Sequence, residues 1–347
     1  MSPYINRKVV ISITKIAIVV SMLLAVLVHL THSPVLALAY FAAVVVFFLV
    51  METIATTVFL HRFLTHGAVQ FHNKYVQLFF VWWVRSGGVK FAEWVLIHFM
   101  HHLFTDKPLD PHSPFYKNIL TGRGPLKRPL YFWYNAYMYR GMAKFFAAYR
   151  NDHNGVEYLT AIPLPENKQK QLAFLLERLH ELEWAHKDYD KTLKGQLIKL
   201  TIITINAIPL VLSYGPIAIL AIPAGYLFTV VFYLLGGAII NFWGHHNLKG
   251  FYNKLKELAH WSNIPWFWRW LTGWMMGEGW HETHHDAEGS AKFDLVHSLD
   301  PGWWVIYVLM RLGLATDVWI AEYEAPHIYH YRRHPKSRYH HPTLAKV

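Results

Sequence analysis

The chain contains no cysteine among its 347 residues, and only 16% of its residues are charged. The absence of cysteine excludes disulfide bonds, thiolate metal ligands and a built-in iron–sulfur cluster. Soluble domains carry charge at about a quarter of their positions, so this composition is atypical of a soluble protein. Hydrophobic residues make up 54% of the chain, and the formal net charge is +11. A chain this apolar fits nucleic acid binding poorly despite its basic charge.

Lysine and arginine are absent from two long stretches, residues 16–60 and 200–243. A helix that crosses a bilayer needs about 20 apolar residues, and each stretch contains two such runs around a short polar loop. The predicted transmembrane spans are residues 9–31, 34–60, 198–214 and 216–243. Basic residues flank both pairs of spans, so the positive-inside tendency predicts that both termini and the long middle segment face the cytoplasm.

The rest of the chain is predicted to form a cytosolic helical cap from residues 61–197 and 244–320. Residues 76–97 are apolar but are interrupted by charge and glycine, which favours a re-entrant or interfacial segment. The last residues, 321–347, are read as a basic, histidine-rich and solvated tail. The predicted fold class is therefore an all-α integral membrane protein, a single domain with four transmembrane helices and a helical cap.

Histidine is unusually frequent, with 24 residues, and it recurs with one spacing. On a helix, offsets of three and four place side chains on one face, and both His98-x-x-His101-His102 and His281-x-x-His284-His285 have these offsets. Imidazole is a common ligand for iron, copper, zinc and nickel. Nine clustered histidines are too many for one ion, so the pattern predicts two metal ions with four or five nitrogens each. The nine are His61, His66, His98, His101, His102, His245, His281, His284 and His285.

Acidic residues beside these clusters are candidates for holding the ligands in place. A carboxylate that accepts the second ring N–H of a metal-bound histidine fixes its tautomer and orientation. Asp106, Asp110 and Glu278 fit this role best, and Glu282 and Asp286 fit it less well; for each, a plain surface charge is the alternative. Glu52 lies within the second apolar run, where it either positions substrate or metal or reaches a polar cap.

At this point the motifs resemble those of the integral-membrane fatty acid desaturases, especially the Δ9 acyl-CoA and acyl-lipid group. The resemblance extends from about residue 30 to 320 and rests on the order, the spacing and the letters of its segments. The matching segments are His61-Arg62-Phe63-Leu64-Thr65-His66, the two triplets, Asn241-x-x-x-His245, Gly277-Glu278-Gly279-Trp280 and Asp300-Pro301-Gly302-Trp303-Trp304.

The resemblance implies that the cap holds a di-iron centre with the nine histidines as ligands and Asn241 acting through water. It also implies O2-dependent insertion of a cis double bond, at Δ9, into a saturated acyl-CoA or acyl-lipid. The chain has no flavin or nicotinamide fingerprint, so electrons are expected from an external ferredoxin, cytochrome b5 or reductase. Membrane lipids are further expected partners, in a bacterial inner membrane or an endoplasmic reticulum.

Some positions depart from the family pattern and leave alternatives open. Phe99 stands where an arginine is usual, and Glu282-Thr283 stand where an asparagine pair is usual. These departures leave the acyl carrier and the double-bond position undecided. A di-iron lipid hydroxylase or related oxidase is the alternative in the same mechanistic class. A metal transporter is less favoured, because transporters place such residues near the middle of the membrane, whereas these clusters lie at the ends of the spans and in the cap.

Overall fold

The computed structural model describes residues 3–89, 91–105, 107, 110, 163–182, 192–243, 276–295, 299–325 and 328–337. The chain divides into two compact units. The membrane unit comprises Met1–Ala55, Leu78–Lys90 and Glu183–Tyr233. The histidine unit comprises Thr56–Gln77, Phe91–Leu182 and Leu234–Val347.

The described part of the chain is mostly helical, as the composition predicts. Its α-helices are α1 (Pro3–Leu30), α2 (Pro34–Ile54), α3 (Lys74–Ser86), α4 (Phe91–Phe104), α5 (Glu166–Glu181), α6 (Thr192–Tyr214), α7 (Ala221–Trp243), α8 (His281–Asp286) and α9 (Pro301–Arg311). A π-helix covers Ala55–Thr65, and short 3-10 helices cover Pro216–Leu220 and Glu278–Trp280. The two strands are β1 (Trp319–Ala325) and β2 (Ile328–Arg333).

Among the residues that the structure describes, four helical segments are long and apolar enough to cross a membrane, which agrees with the predicted number of spans. They are Ile11–Leu30, Pro34–Thr65, Lys194–Tyr214 and Pro216–Gly237. Many of their apolar side chains are exposed, for example Leu27 at 60% and Val35 at 74%. Such faces are stable only in an apolar solvent, so this chain is a multi-pass membrane protein.

The two predicted hairpin loops have the expected turn chemistry. Ser33 caps α2, because its Oγ accepts a hydrogen bond from the backbone N–H of Leu36 at 3.3 Å, and Pro34 follows as the first helical residue. The second loop turns at Gly215, whose φ of 79° lies in the left-handed region that favours glycine. Pro216 again begins the following helix.

A buried ion pair links α2 to α6 inside the membrane unit. The Glu52 and Lys199 side chains are only 2% and 1% exposed, and Lys199 Nζ donates to both Glu52 carboxylate oxygens at 3.0 Å. Ser86 Oγ at the end of α3 also donates to Glu52 Oε1, at 3.4 Å. Nearby, Tyr226 Oη donates to Gln196 Oε1 at 2.6 Å. Glu52 therefore has a cationic partner, which its position in the sequence alone did not identify.

The second span remains helical to Thr65, beyond the predicted end at residue 60, and its residues from Thr56 onward belong to the histidine unit. Helices α3 and α4 lie on either side of the glycine-containing break predicted within residues 76–97. Their depth in a membrane stays a prediction. Part of the predicted cap, residues 166–181, is helical as expected.

The first part of the predicted solvated tail, from residue 321, forms a β-hairpin whose described side chains are mostly exposed. Strands β1 and β2 pair antiparallel, with Trp319 opposite Arg333 and Tyr323 opposite Tyr329. The backbone of Trp319 also bonds to the chain on both sides, donating to Ala68 O and accepting from Ala291 N. The hairpin is thus held within the histidine unit. Alternation along Trp319–Ala325 is a weak strand pattern, and the surrounding histidine and arginine residues obscured it.

Candidate metal centre

Eight of the nine predicted histidine ligands lie among the described residues and form two groups. Within each group, one ring nitrogen from every member lies within 4.8 Å of the others. The five-histidine group consists of His61, His66, His98, His102 and His284, and the three-histidine group consists of His101, His281 and His285. The prediction that the nine would divide between two sites is consistent with this arrangement.

Each histidine triplet divides between the two groups. Residues four apart on a helix differ by about 40° in direction, and the residue at offset three points about 60° the other way. In α4, His98 and His102 therefore meet, with 3.1 Å between their Nε2 atoms, while His101 joins the three-histidine group. In α8, the pair is His281 and His285, also at 3.1 Å, and His284 crosses to the five-histidine group.

The π-helix explains how His61 and His66 reach the same group. Residues five apart in an α-helix would point about 140° away from each other. In the π-helix, hydrogen bonds join residues five apart, and the backbone N–H of His66 donates to His61 O at 3.1 Å. Thr65 Oγ1 also donates to the carbonyl five residues back, Leu60 O, at 2.9 Å. The two imidazole ring centroids consequently lie 4.9 Å apart.

The spacing of ring nitrogens fits bound metal. His284 Nε2 lies 2.8 Å from His61 Nε2 and 3.1 Å from His102 Nε2, and His101 Nε2 lies 3.1 Å from His285 Nε2. Two ligands at right angles on a metal with bonds of about 2.1 Å would be about 3.0 Å apart. Among the described residues, buried His66 Nε2 has no hydrogen-bond partner. Nitrogen lone pairs that converge in this way fit a shared cation.

Burial keeps the imidazoles of the five-histidine group in their neutral, metal-binding form. The pKa values of His66, His98, His102 and His284 are all lowered well below the usual value, first by desolvation and then by nearby histidines. A neutral imidazole offers a lone pair without first losing a proton. The group is therefore prepared to bind a cation near neutral pH.

Three carboxylates contact the Nδ1 atoms of cluster histidines. Glu278 Oε1 lies 2.9 Å from Nδ1 of His61, and Asp110 Oδ1 lies 2.8 Å from Nδ1 of His101. Glu288 Oε2 lies 3.3 Å from Nδ1 of His102. Each contact leaves Nε2 facing its group, as the carboxylate–histidine–metal arrangement requires. Burial raises the pKa of Glu278 to about 8, against the opposing effect of the Arg62 charge, so a nearby cation would favour its ionised form.

The other predicted site residues have mixed outcomes. Asp106 and His245 lie outside the described residues. Asn241 lies half-buried near the end of α7, and its role through water stays a prediction. Asp286 is exposed and accepts a hydrogen bond from Tyr329 Oη at 3.4 Å, while Glu282 is half-buried.

Sequence reasoning missed Glu288. It contacts His102 and also binds Lys168 Nζ and Gln171 Nε2 on α5. The available signal was its position three residues after His285, but no spacing rule distinguishes it from Glu282 or Asp286. A cavity of about 480 Å³ adjoins this point and is lined by Glu288, His66, Arg178, Trp319 and Tyr331, among others.

A buried arginine, Arg62, lies next to the five-histidine group and contacts Phe293, whose ring packs against His61 and His284. Arg62 and Asp300 are fully buried, and Arg62 Nη2 donates to Asp300 Oδ1 at 2.9 Å and to Met276 O at 2.7 Å. A side chain at Gly277 or Gly302 would overlap Arg62 or Asp300, and Gly277 has a φ of 88°. These contacts give a steric reason for glycine at both motif positions.

Comparison with known proteins agrees with these observations. A family model described as Fatty acid desaturase matches residues 33–291. An acyl-CoA 5-desaturase of Anemone leveillei is 28% identical over 284 residues, which cover 76% of this chain and 66% of that protein. Delta-9 acyl-lipid desaturase 1 of Arabidopsis thaliana is 24% identical over 275 residues, which cover 76% of this chain and 70% of that protein. The chain thus spans about two thirds of the length of these relatives.

Proposed function

Since the chain belongs to the fatty acid desaturase family, we propose that it is an O2-dependent fatty acyl desaturase. In the proposed reaction, two hydrogens leave adjacent methylene groups of a saturated acyl chain and a cis double bond forms. One O2, two external electrons and two protons complete the balance, giving two waters. The observation that carries the proposal is the pair of histidine groups with converging nitrogens.

We propose two iron ions as the metal. Iron would supply the oxidising power that side chains lack, since no amino acid can remove an unactivated alkyl hydrogen. The five-histidine group would hold one ion. The three-histidine group would hold the other together with His245, the ninth predicted ligand. All-imidazole sites also suit zinc, copper and nickel, so iron is supported by family membership rather than by ligand type.

The residues around the ligands have defined tasks in this proposal. Glu278, Asp110 and Glu288 would accept the Nδ1–H of their histidines and hold each Nε2 toward the metal. Burial of His101 and His284, which are 0% and 1% exposed, would limit access of water to the reacting atoms. Limited access matters because a strong oxidant would otherwise be quenched by solvent.

The substrate class follows from the relatives. Their names include acyl-CoA and acyl-lipid substrates and positions 5 and 9. We therefore propose a fatty acyl substrate on one of these carriers, with Δ9 as the expected position. Electrons would come from a separate donor of the ferredoxin, cytochrome b5 or reductase type. We expect both termini on the cytoplasmic side of a bacterial inner membrane or an endoplasmic reticulum.

The test is the fatty acid profile of cells that express the chain beside a His284→Ala variant, with double bonds located by mass spectrometry. We expect a new monoene that is absent from the variant. The matched control is His330→Ala, because His330 is an exposed histidine on β2 that contacts Glu324 rather than the cluster, and this variant should retain activity. A hydroxylated product would favour the lipid hydroxylase instead. Normal turnover by His284→Ala would contradict the ligand assignment.

A further inference from the structure

His284 differs from His61, His101 and His102 in the hydrogen bonding of its Nδ1 atom. His61, His101 and His102 each have a carboxylate at Nδ1. The buried Nδ1 of His284 has no hydrogen-bond partner among the described residues. A ligand without that contact lacks the usual restraint on ring rotation. A ring that packs against this imidazole would supply the restraint instead.

Phe293 is placed to hold it. The Phe293 ring centroid lies 4.2 Å from that of His284, with 34° between the ring planes. The same phenyl ring meets His61 edge to face at 5.2 Å and 66°. Phe293 is only 1% exposed. One aromatic ring thus packs against two imidazoles of the same group, and these are the two whose Nε2 atoms lie 2.8 Å apart.

Phe293 is in turn fixed on its ring face and at its backbone. The Arg62 guanidinium carbon lies 3.8 Å from the centroid of the phenyl ring. Among the described residues, Arg62 Nε and Nη1 have no hydrogen-bond partner, so the electron-rich ring face is the group available to them. At the backbone, Phe293 N–H donates to Asp300 Oδ2 at 2.7 Å. Asp300 therefore accepts hydrogen bonds from both Arg62 and Phe293 and holds them together.

We propose that Phe293, held by Arg62 and Asp300, is a positioning residue for His284 and fixes the direction of its Nε2. It would take the place that a carboxylate has at His61, His101 and His102. Because a phenyl ring accepts no N–H in its plane, His284 would also be a less basic donor than His61 or His102. This inference rests on the proposed metal function of the five-histidine group.

The test compares three variants of the full-length protein, purified without substrate. Phe293→Leu removes the ring but keeps an apolar side chain, and Phe293→Tyr keeps the ring. Phe71→Leu is the matched control, because Phe71 is also 1% exposed and its ring packs against Phe59 and Phe63. Each protein is loaded with iron-57. Measurements are iron affinity by chelator competition, the Mössbauer spectrum, and thermal unfolding of the iron-free form.

We expect Phe293→Leu to lower the binding affinity for one of the two irons by about 10- to 100-fold, the range typical of residues that orient ligands. One of two Mössbauer signals should change, while the iron-free form unfolds like Phe71→Leu. Phe293→Tyr and Phe71→Leu should keep the parent spectrum. Equal iron loss in the leucine and tyrosine variants of Phe293, or an unchanged Phe293→Leu spectrum, would overturn the positioning role alone. A parent protein that binds no iron would overturn the metal proposal together with it.

Discussion

The buried pair of Glu52 and Lys199 gives the sharpest prediction for the membrane unit. Replacing Lys199 by methionine keeps the length of the side chain and removes its charge. The Glu52 carboxylate then loses a partner that lies 3.0 Å from both of its oxygens. The contact from Ser86 Oγ is longer, at 3.4 Å, and comes from an uncharged group. An ionised carboxylate would be left in a largely apolar environment.

The expected cost can be estimated from this geometry. At 3.0 Å and an effective dielectric constant of about 20, the attraction between unit charges is about 5.5 kcal/mol. Removing one partner of a buried pair usually lowers the free energy of unfolding by about 3–5 kcal/mol, because the other charge stays buried. We expect Lys199→Met to fall in this range. Adding Glu52→Gln should recover most of the loss, since no uncompensated charge then remains.

The assay is unfolding in mixed micelles as the SDS fraction rises, followed by circular dichroism. Lys194→Met is the matched control, because Lys194 is an exposed lysine on the same helix, and it should change the unfolding free energy by less than about 0.5 kcal/mol. The double-mutant cycle should give an interaction energy well above about 0.5 kcal/mol. Additive single changes, or a loss below about 1 kcal/mol for Lys199→Met, would refute the reasoning.

Three further predictions concern the histidine unit. His245→Ala should remove about one of two irons and leave the other, as measured by metal analysis; loss of neither would exclude His245 as a ligand. Glu288→Gln should weaken iron binding by about 10- to 100-fold through His102, and an unchanged affinity would show that the contact is incidental. The iron-free protein should lose stability as pH falls below 6.5. The unfolded chain then binds protons at four histidines that burial keeps neutral in the folded protein. Glu278, whose pKa of about 8 is raised, opposes them. Each histidine that gains a proton on unfolding weakens the folded state by up to about 1.4 kcal/mol per pH unit, and a flat profile of thermal unfolding between pH 7.5 and 5 would contradict the prediction.

The sequence was sufficient to predict the spans because most of each lies within an apolar stretch, residues 16–60 or 200–243, that has no lysine or arginine. It was less reliable at the end of the second span. There His61 and Arg62 suggested exit from the membrane helix, yet both are buried and helical as far as Thr65. Their polar groups have partners within the histidine unit, including Glu278 and Asp300. Such partners are distant in sequence, so hydropathy cannot detect them.

The two histidine groups were predictable in their described members but not in their arrangement. The spacing of α4 and α8 predicts two faces rich in histidine. Which histidine joins which group depends on how the two helices are rotated against each other, and that is set by tertiary packing. The same limit explains why Glu288 was missed, since it reaches His102 across 186 positions of sequence. The β-hairpin was missed because its short alternating pattern is weaker than the helical signals around it.

The π-helical segment at Ala55–Thr65 has a consequence for reading the sequence. Four residues separate His61 from His66, a number that brings two side chains together only when the helix is wound wider than usual. The five-residue offset of the two histidines is therefore a sequence sign of π-helical winding at this segment. Removing one residue between the two histidines would give an offset of four, which an ordinary α-helix already accommodates. Such a deletion would tighten the helix and turn every residue that precedes it relative to His66.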